Sequence, residues 1–313
     1  MNLTKRVSAL NRFFTHIVLA LTLCLYIGAA ALAAQTTAAD NGLLWEISGK
    51  GLTKPSYLFG TFHLLNDSYL PQKQALALEK FQQADGVVVE IVPDTPAMMQ
   101  AQMKMLMPNN RLSNLLDSTE YSLIAAEVKQ HMGMEITALE QIMPMGLSIF
   151  FTIVYSKEVI PILENYTGVP LDIYFGQTGQ ATGKTVTALE TVGEQFDLLF
   201  GKFTPEEQAD QLVEMIQKRE IARSTLQEIA DNYLQSDLQG ILDVSERMQK
   251  EMPAYGSMEY ITTDRNKKWM EKLPALLQQG SLFIAVGALH LPGKEGLIDL
   301  LRKAGYSVKP VRG

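Results

Sequence analysis

The sequence predicts an α/β fold with a central mixed or mostly parallel sheet flanked by helices. Three short apolar runs, at residues 56–59, 87–89 and 282–286, are typical of strands buried in such a sheet. Stretches with helical spacing separate these runs, as a βαβ arrangement requires. The first and third runs lead into the same motif, GxxH, in which a histidine follows three residues after Gly60 or Gly287.

Residues 1–34 have the features of a secretory signal peptide. Basic residues come first, residues 17–27 are apolar, and residues 31–33 fit a small-residue cleavage site. The apolar stretch is shorter than the roughly 20 residues of a membrane-spanning helix. We therefore expect a periplasmic or secreted protein with no stable membrane span after cleavage. The one cysteine, Cys24, would leave with this segment, and residues 35–42 would form a flexible N-terminus.

The composition predicts a globular protein. Of the 313 residues, 47% are hydrophobic and 19% are charged, which provides enough apolar side chains for a large core. The net charge of −7 argues against a nucleic-acid partner, so a peptide or small-molecule substrate is expected instead. We expect residues 43–313 to form a single domain.

The first GxxH unit begins with a predicted hairpin. Two apolar strands flank a Gly- and Lys-containing turn at residues 49–55, and the second strand leads to His63. A helical pattern follows at residues 72–84. The β-branched run at residues 87–89 then predicts a core strand that ends in Glu90, at the same sheet edge as His63.

The middle of the chain is predicted to be mainly helical. Residues 94–165 form a Met-rich helical insertion, within which the apolar stretch at 146–154 predicts a buried helix. A further strand at residues 185–189 ends in Glu190. The polar residues that follow predict a second helical segment, at about 204–279.

The second GxxH unit lies at the C-terminus. Arg265 is in the helix before the strand at 282–286, and His290 follows that strand. A helix at 296–304 and a closing strand at 306–311 complete the unit. The order strand, GxxH, helix, strand therefore occurs twice, which indicates a partial internal repeat.

Histidine and carboxylate side chains at the carboxyl ends of strands predict a site, because ligands of open α/β sheets bind at that edge. His63, Glu90 and His290 are ligand types that suit Mn, Co or Zn and leave a position open for water. Without a metal, a histidine oriented by Glu90 could activate water directly. Neither HExxH nor GxSxG occurs in the sequence, so those two hydrolase classes do not apply.

Each candidate has a structural alternative. Glu90 could instead form a structural salt bridge with a lysine. Glu190 is a weaker candidate for the site than Glu90. Arg265 is predicted to clamp a carboxylate or stabilise an oxyanion. The alternative is a position on a solvated face with Lys267 and Lys268. His131 does not follow a strand or a GxxH motif, and it is interpreted as a surface or loop residue.

Residues 58–63 (LFGTFH), 287–293 (GALHLPG) and 296–306 closely resemble the TraB/GumN family, which includes TraB/PrgY/GumN and Tiki-like proteins. The similarity extends over about residues 43–311. It includes four further matches: Val88-Val89-Glu90, Pro170-Leu171-Asp172, Leu189-Glu190-Thr191 and Arg265-Asn266.

The resemblance implies a fold of the erythromycin-esterase and ChaN-like group and a hydrolase site. Tiki-type members are metal-dependent proteases in which Mn or Co is implicated. In this sequence, the resemblance implies catalytic and metal-binding roles for His63, Glu90 and His290. Arg265 and Glu190 are implied as supporting catalytic residues. ChaN-like and PrgY-like relatives imply a different class, a non-catalytic protein that binds haem or another ligand, or sequesters a peptide signal.

Overall fold

A mixed six-stranded sheet forms the centre of the structure, which is a computed structural model that describes residues 41–257 and 259–312. The predicted signal peptide and residues 35–40 lie outside the described residues. The strand order is β4-β3-β5-β2-β1-β6. The strands are β1 (Leu44–Ser48), β2 (Ser56–Thr61), β3 (Gly86–Val89), β4 (Thr185–Ala188), β5 (Leu282–Gly287) and β6 (Ser307–Pro310).

The sheet confirms the predicted α/β class with a mixed sheet. Strands β2, β5, β3 and β4 run parallel to one another, whereas β1 runs antiparallel to both β2 and β6. The predicted β1–β2 hairpin is present, with Trp45 opposite Leu58. Every residue of β2 and β3 is buried, which explains why these strands appear as continuous apolar runs rather than alternating patterns.

Helices surround the sheet and fill the predicted helical stretches. They are α1 (Tyr69–Lys73), α2 (Ala75–Gln83), α3 (Thr95–Met103), α4 (Leu112–Leu115), α5 (Ser118–Met132), α6 (Pro144–Val159), α7 (Leu171–Ala181), α8 (Val192–Gly201), α9 (Pro205–Gln217), α10 (Arg219–Leu234), α11 (Leu238–Glu251), α12 (Thr263–Met270), α13 (Leu273–Leu277) and α14 (Leu297–Lys303). Short 3-10 turns include Glu259–Ile261 and Ala288–His290. Within the described residues, no helix is long and apolar enough to cross a membrane.

Two hydrophobic clusters hold these elements together. The first joins the sheet to its flanking helices and includes the packed rings of Phe59, Phe175 and Phe283. The second joins helices from the insertion to helices α8, α9 and α11. The apolar stretch at 146–154 lies in α6, whose side chains contribute to this second cluster, as expected for a buried helix.

The two GxxH units are joined to the sheet differently. The closing strand of the first unit, β3, lies in the parallel part of the sheet beside β5. The closing strand of the second unit, β6, pairs antiparallel with β1 at the far edge. The internal repeat therefore stays a prediction. So do the single-domain organisation and the erythromycin-esterase/ChaN-like grouping.

The interpretation of His131 as a surface or loop residue is wrong. His131 lies in α5, and only 7% of its side chain is exposed. Its Nε2 atom is 3.1 Å from the Glu127 carboxylate and its Nδ1 atom 3.3 Å from the Glu158 carboxylate. These carboxylates compensate the cost of burying an imidazole, so the polar neighbours of His131 in the sequence gave a misleading signal.

Candidate functional site

Each of the four parallel strands leads into one of the predicted site residues. His63 follows β2, Glu90 follows β3, Glu190 follows β4, and His290 ends the 3-10 turn after β5. Because the strands are parallel, all four side chains lie at one edge of the sheet. All four residues are buried, with exposed fractions of 5%, 7%, 5% and 1% in that order.

The two glutamates form a buried pair. The backbone N–H of Glu190 donates to the carbonyl oxygen of Glu90 at 3.0 Å, which continues the β3–β4 pairing beyond the strands. The side-chain amide of Gln195 donates to Glu190 Oε1 at 3.1 Å and to Glu90 Oε2 at 3.4 Å. Two carboxylates held this close repel each other unless a positive charge lies between them.

Arg265 supplies that charge from α12. Its guanidinium donates from Nη2 to Glu90 Oε2 at 2.6 Å and also to Glu190 Oε1, and from Nε to Glu190 Oε2 at 3.1 Å. Its Nη1 donates to the carbonyl oxygen of Ile261 and to Nε2 of His290. All five N–H groups of the guanidinium are therefore used within the protein.

The burial of Arg265 decides between its two predicted roles. The residue is 3% exposed, so its placement on a solvated face is wrong. Lys267 and Lys268 occupy the exposed face of the same helix, with about half of each side chain accessible. Arg265 does clamp carboxylates, but they are those of Glu90 and Glu190.

His290 is held as a neutral imidazole. Its Nδ1 lies 2.7 Å from Oδ1 of Asn266, whose amide nitrogen donates to two backbone carbonyls. Oδ1 of Asn266 is therefore an acceptor, and Nδ1 of His290 carries the proton. Nε2 of His290 accepts from Arg265 at 3.0 Å, and the ring packs on Trp269 at a centroid distance of 4.4 Å.

The charge of Arg265 controls the protonation of its neighbours. Burial lowers the pKa of His290, and the nearby guanidinium lowers it further, to about 3. Burial by itself raises the pKa of Glu90, but Arg265 and the other neighbouring groups outweigh it and lower the pKa to about 2. At neutral pH, Glu90 is therefore ionised and His290 is uncharged.

His63 has a different neighbour, Asp172. Its Nδ1 lies 3.3 Å from Oδ2 of Asp172, and the two side chains are 2% and 10% exposed. Asp172 is in the first turn of α7.

The N-terminus of α7 is hydrogen-bonded to the loop after β2. We call the paired segments, residues 65–68 and 167–171, the strap. A β-bridge between Asn66 and Pro170 joins the two segments. Three hydrogen bonds also link them: Leu171 N–H donates to Leu65 O at 3.0 Å, Asp67 N–H to Val169 O at 2.8 Å, and Thr167 N–H to Ser68 Oγ at 2.8 Å.

A cavity of about 140 Å³ opens beside His63, Glu90 and Asp172. Glutamine side chains from α7 and α8 line it, together with apolar residues that follow β3. Gly287 lies close to the side chains of His63 and Glu90, which border the cavity. A Cβ atom on Gly287 would lie 3.4 Å from Glu90 Oε1 and 3.6 Å from both His63 Nε2 and His290 Cδ2. The polar atoms of His63 and Glu90 therefore surround a small space that only glycine leaves open.

The predicted three-residue metal site does not fit this arrangement. Nε2 of His290 lies 3.9 Å from Glu90 Oε1, but its lone pair accepts a hydrogen bond from Arg265. Nδ1 of His290 carries a proton, so neither ring nitrogen is available as a ligand. Within residues 41–257 and 259–312, no group of three or more histidine, cysteine or acidic side chains is arranged to hold a metal ion.

Comparison with known proteins identifies the family. The sequence model of the TraB/PrgY/gumN family matches residues 43–310, which is most of the chain. The chain belongs to the TraB/PrgY/gumN family. This confirms the resemblance stated from the GxxH motifs and the residues around them.

A curated relative carries a functional name. The chain is 26% identical over 319 aligned positions to metalloprotease TIKI2 of Danio rerio, an alignment that covers 86% of this chain and 61% of that protein. The chain thus spans about three fifths of the length of this relative. No solved structure gives a significant match.

Three residues in the site were not predicted as site residues. Asp172 and Asn266 stand out in the sequence only as parts of family motifs, although each contacts one of the GxxH histidines. Gln195 had no signal in the sequence, because a single glutamine in the first turns of a helix is common. The assignment of catalytic roles to His63, Glu90, Glu190, Arg265 and His290 stays a proposal.

Proposed function

We propose that this protein is an exported hydrolase of peptide-like substrates. One observation carries the proposal: His63 and the ionised Glu90 border the same cavity at the carboxyl edge of the parallel strands. Membership of the TraB/PrgY/gumN family and similarity to a protein named as a metalloprotease support a hydrolytic role.

His63 is the proposed general base. Nε2 of His63 takes a proton from water, and the water oxygen bonds to the substrate carbonyl carbon to give a tetrahedral intermediate. The same proton is then given to the nitrogen as the C–N bond breaks, which releases the amine and the carboxylic acid. Glu90 stabilises the imidazolium that forms in between, because its pKa of about 2 keeps it negatively charged. Arg265 and His290 hold Glu90 in place and do not themselves contact substrate.

The cavity favours part of a peptide as its occupant. Its volume of about 140 Å³ is below the roughly 300–1,000 Å³ of pockets that enclose a drug-sized ligand. It therefore suits one side chain and the scissile group, and it is small for haem. The amide groups of Gln177, Gln180 and Gln195 line it, and amides both donate to and accept from a peptide backbone.

The predicted Mn, Co or Zn ion stays a prediction for this chain. The proposed catalytic steps use only protein groups, because His290 does not offer a ligand atom. Metal analysis of the purified protein, together with hydrolysis measured before and after chelation, tests this point. A stoichiometric metal, lost on substitution of His63 or Glu90, would show that Arg265 gives way to a cation.

A peptide-cleavage assay tests the hydrolase proposal. His63→Gln should abolish cleavage of a mixed peptide library, read by mass spectrometry, while the far-ultraviolet circular dichroism stays unchanged. The matched control is His131→Gln, which should retain cleavage because His131 packs against Tyr155 of the second hydrophobic cluster and does not line the cavity. Cleavage retained in His63→Gln would refute the proposal. Peptide binding without cleavage, retained in His63→Gln, would favour sequestration of a peptide signal.

Export to the periplasm or the outside of the cell is part of the same proposal. It depends on residues 1–34, which lie outside the described part of the chain. The mature protein should begin near Ala34 or Gln35, which intact-mass measurement checks. A mature mass that includes residues 1–33 would contradict the signal assignment.

A further inference from the structure

We propose that Asp172 is a positioning residue that fixes the tautomer of His63. In this inference the carboxylate of Asp172 holds the proton of His63 on Nδ1, so that Nε2 is left as the basic nitrogen on the cavity side. The inference rests on the proposed function, in which Nε2 of His63 takes a proton from water. It assigns a role to a residue that stands out in the sequence only as part of a family motif.

The carboxylate of Asp172 is directed at His63. Its Oδ2 atom is 3.3 Å from Nδ1 of His63, and only 10% of the side chain is exposed. Neither carboxylate oxygen accepts a hydrogen bond within the described residues, and the approach of Oδ2 to Nδ1 of His63 is an ion-pair contact at 3.3 Å. A carboxylate buried to this extent is costly unless a positive or donating group faces it, and His63 is the group that does.

The backbone holds this contact independently of either side chain. The strap joins the loop after His63 to the residues just before Asp172 by several hydrogen bonds. The carboxylate of Asp67 strengthens it by accepting from the backbone N–H of Val169 at 2.5 Å. His63 and Asp172 are therefore presented to each other by two segments whose separation the strap fixes, as a positioned base requires.

The other GxxH histidine shows what a different partner does. His290 donates from Nδ1 to the amide of Asn266, and its Nε2 is occupied by Arg265. His63 instead has a carboxylate beside Nδ1, while Nε2 lies on the side of Gly287 and Glu90. The same motif thus presents two imidazoles with opposite surroundings. One is locked neutral against a cation, and the other lies between two carboxylates.

Nitrogen-15 NMR of the histidine rings tests the inference without a substrate. In the full-length mature protein at pH 8, His63 should carry its proton on Nδ1 and show an unprotonated Nε2. Its signal is assigned by its loss in His63→Gln. In Asp172→Asn the new amide should donate to Nδ1, which moves the proton to Nε2. The signals of His290 serve as the internal control and should not change.

Kinetics on a peptide from the cleavage assay provide the second measurement. Asp172→Asn should lower kcat about 10²- to 10⁴-fold with little change in KM, the range for loss of general-base catalysis. Asp172→Glu, which keeps the carboxylate, should recover part of kcat. A proton on Nε2 of His63 in the unsubstituted protein would overturn the inference, as would an unchanged tautomer in Asp172→Asn. These NMR outcomes are separate from failure of the hydrolase proposal, which the cleavage assay reports.

Discussion

Nη1 of Arg265 donates a hydrogen bond to Nε2 of His290 across 3.0 Å, and this contact determines what His290 can do. A guanidinium never accepts a hydrogen bond, so the imidazole must be the acceptor. His290 is thereby kept neutral and tied to the ion network of Glu90 and Glu190. The histidine that the sequence presents as a twin of His63 is part of the support for that network.

Removal of the guanidinium should destabilise the protein strongly. Arg265→Met leaves the buried carboxylates of Glu90 and Glu190 without a compensating charge, which costs about 3–5 kcal/mol in comparable networks. The free energy of unfolding in urea measures this loss. Lys267→Met, on the exposed face of the same helix, is the matched control and should change it by no more than about 0.5 kcal/mol. Equal effects of the two substitutions would contradict the network.

Stability should fall on acidification, beginning below pH 6.5. The pKa of His290 is about 3 in the folded protein against 6.5 when unperturbed, so between these values the unfolded chain binds more protons. The loss between pH 7 and pH 4.5 should be on the order of 2–3 kcal/mol. Glu90, with a folded pKa of about 2 against 4.5, adds a further loss only below pH 4.5.

Urea unfolding measured at a series of pH values checks this dependence. His290→Gln is the informative variant, because glutamine does not titrate. Its unfolding free energy should change less between pH 6.5 and pH 4.5 than that of the unsubstituted protein. An identical slope in both proteins would show that His290 is not the titrating group.

Gly287→Ala should remove activity without loss of stability. The backbone of Gly287 has φ −52°, which alanine adopts readily, and the new methyl group would meet its neighbours at 3.4–3.6 Å. We expect the free energy of unfolding to stay the same or to rise by about 0.4–1 kcal/mol. The methyl group would fill the space between His63 and Glu90, so peptide cleavage should fall sharply.

The glycine of the other motif gives the matched comparison. A methyl group on Gly60 would lie 3.0 Å from Cα of Ala288, which is backbone and cannot move aside alone. Gly60→Ala should therefore cost about 1–3 kcal/mol through overpacking. If the thermal midpoint fell more in Gly287→Ala than in Gly60→Ala, the described geometry of the two glycines would be wrong.

Gly168→Ala should loosen the strap. Gly168 has φ +110°, which L residues rarely adopt, and a methyl group there would overlap the carboxylate of Asp67. We expect a loss of about 1–3 kcal/mol together with reduced cleavage, because His63 and Asp172 would no longer be held together. Gly133→Ala is the control: φ is +63° but the surrounding space is open, so only stability should fall. Full activity in Gly168→Ala would show that the strap is not needed to position His63 and Asp172.

The sequence predicted the strands and the strand-terminal carboxylates, because a local pattern of residues determines each of them. The apolar runs before Gly60 and Gly287 predicted β2 and β5, and the carboxylates after β3 and β4 were expected at their strand ends. The partners of Arg265 were not predictable in this way. They lie 75 and 175 residues away along the chain, and no local periodicity records a contact at that distance.

The error at His131 and the open alternative at Arg265 have the same physical origin. Both residues lie in stretches of polar residues, which are typical of exposed positions. Burial of a charged or polar side chain depends on a partner from another element, such as the carboxylate of Glu190 or Glu158. Composition around the residue contains no information on whether that partner is present.

The strand order determines when the sheet edge that carries the site can be completed during synthesis of the chain. β5 is hydrogen-bonded to β2 on one side and to β3 on the other, and β2 does not touch β3. Until residues 282–287 arrive, the β1–β2 hairpin and the β3–β4 pair remain two unconnected pieces of sheet. Non-local pairing of this kind folds slowly. His63 and Glu90 are therefore synthesised early, and the last central strand places them at the same edge of one continuous sheet.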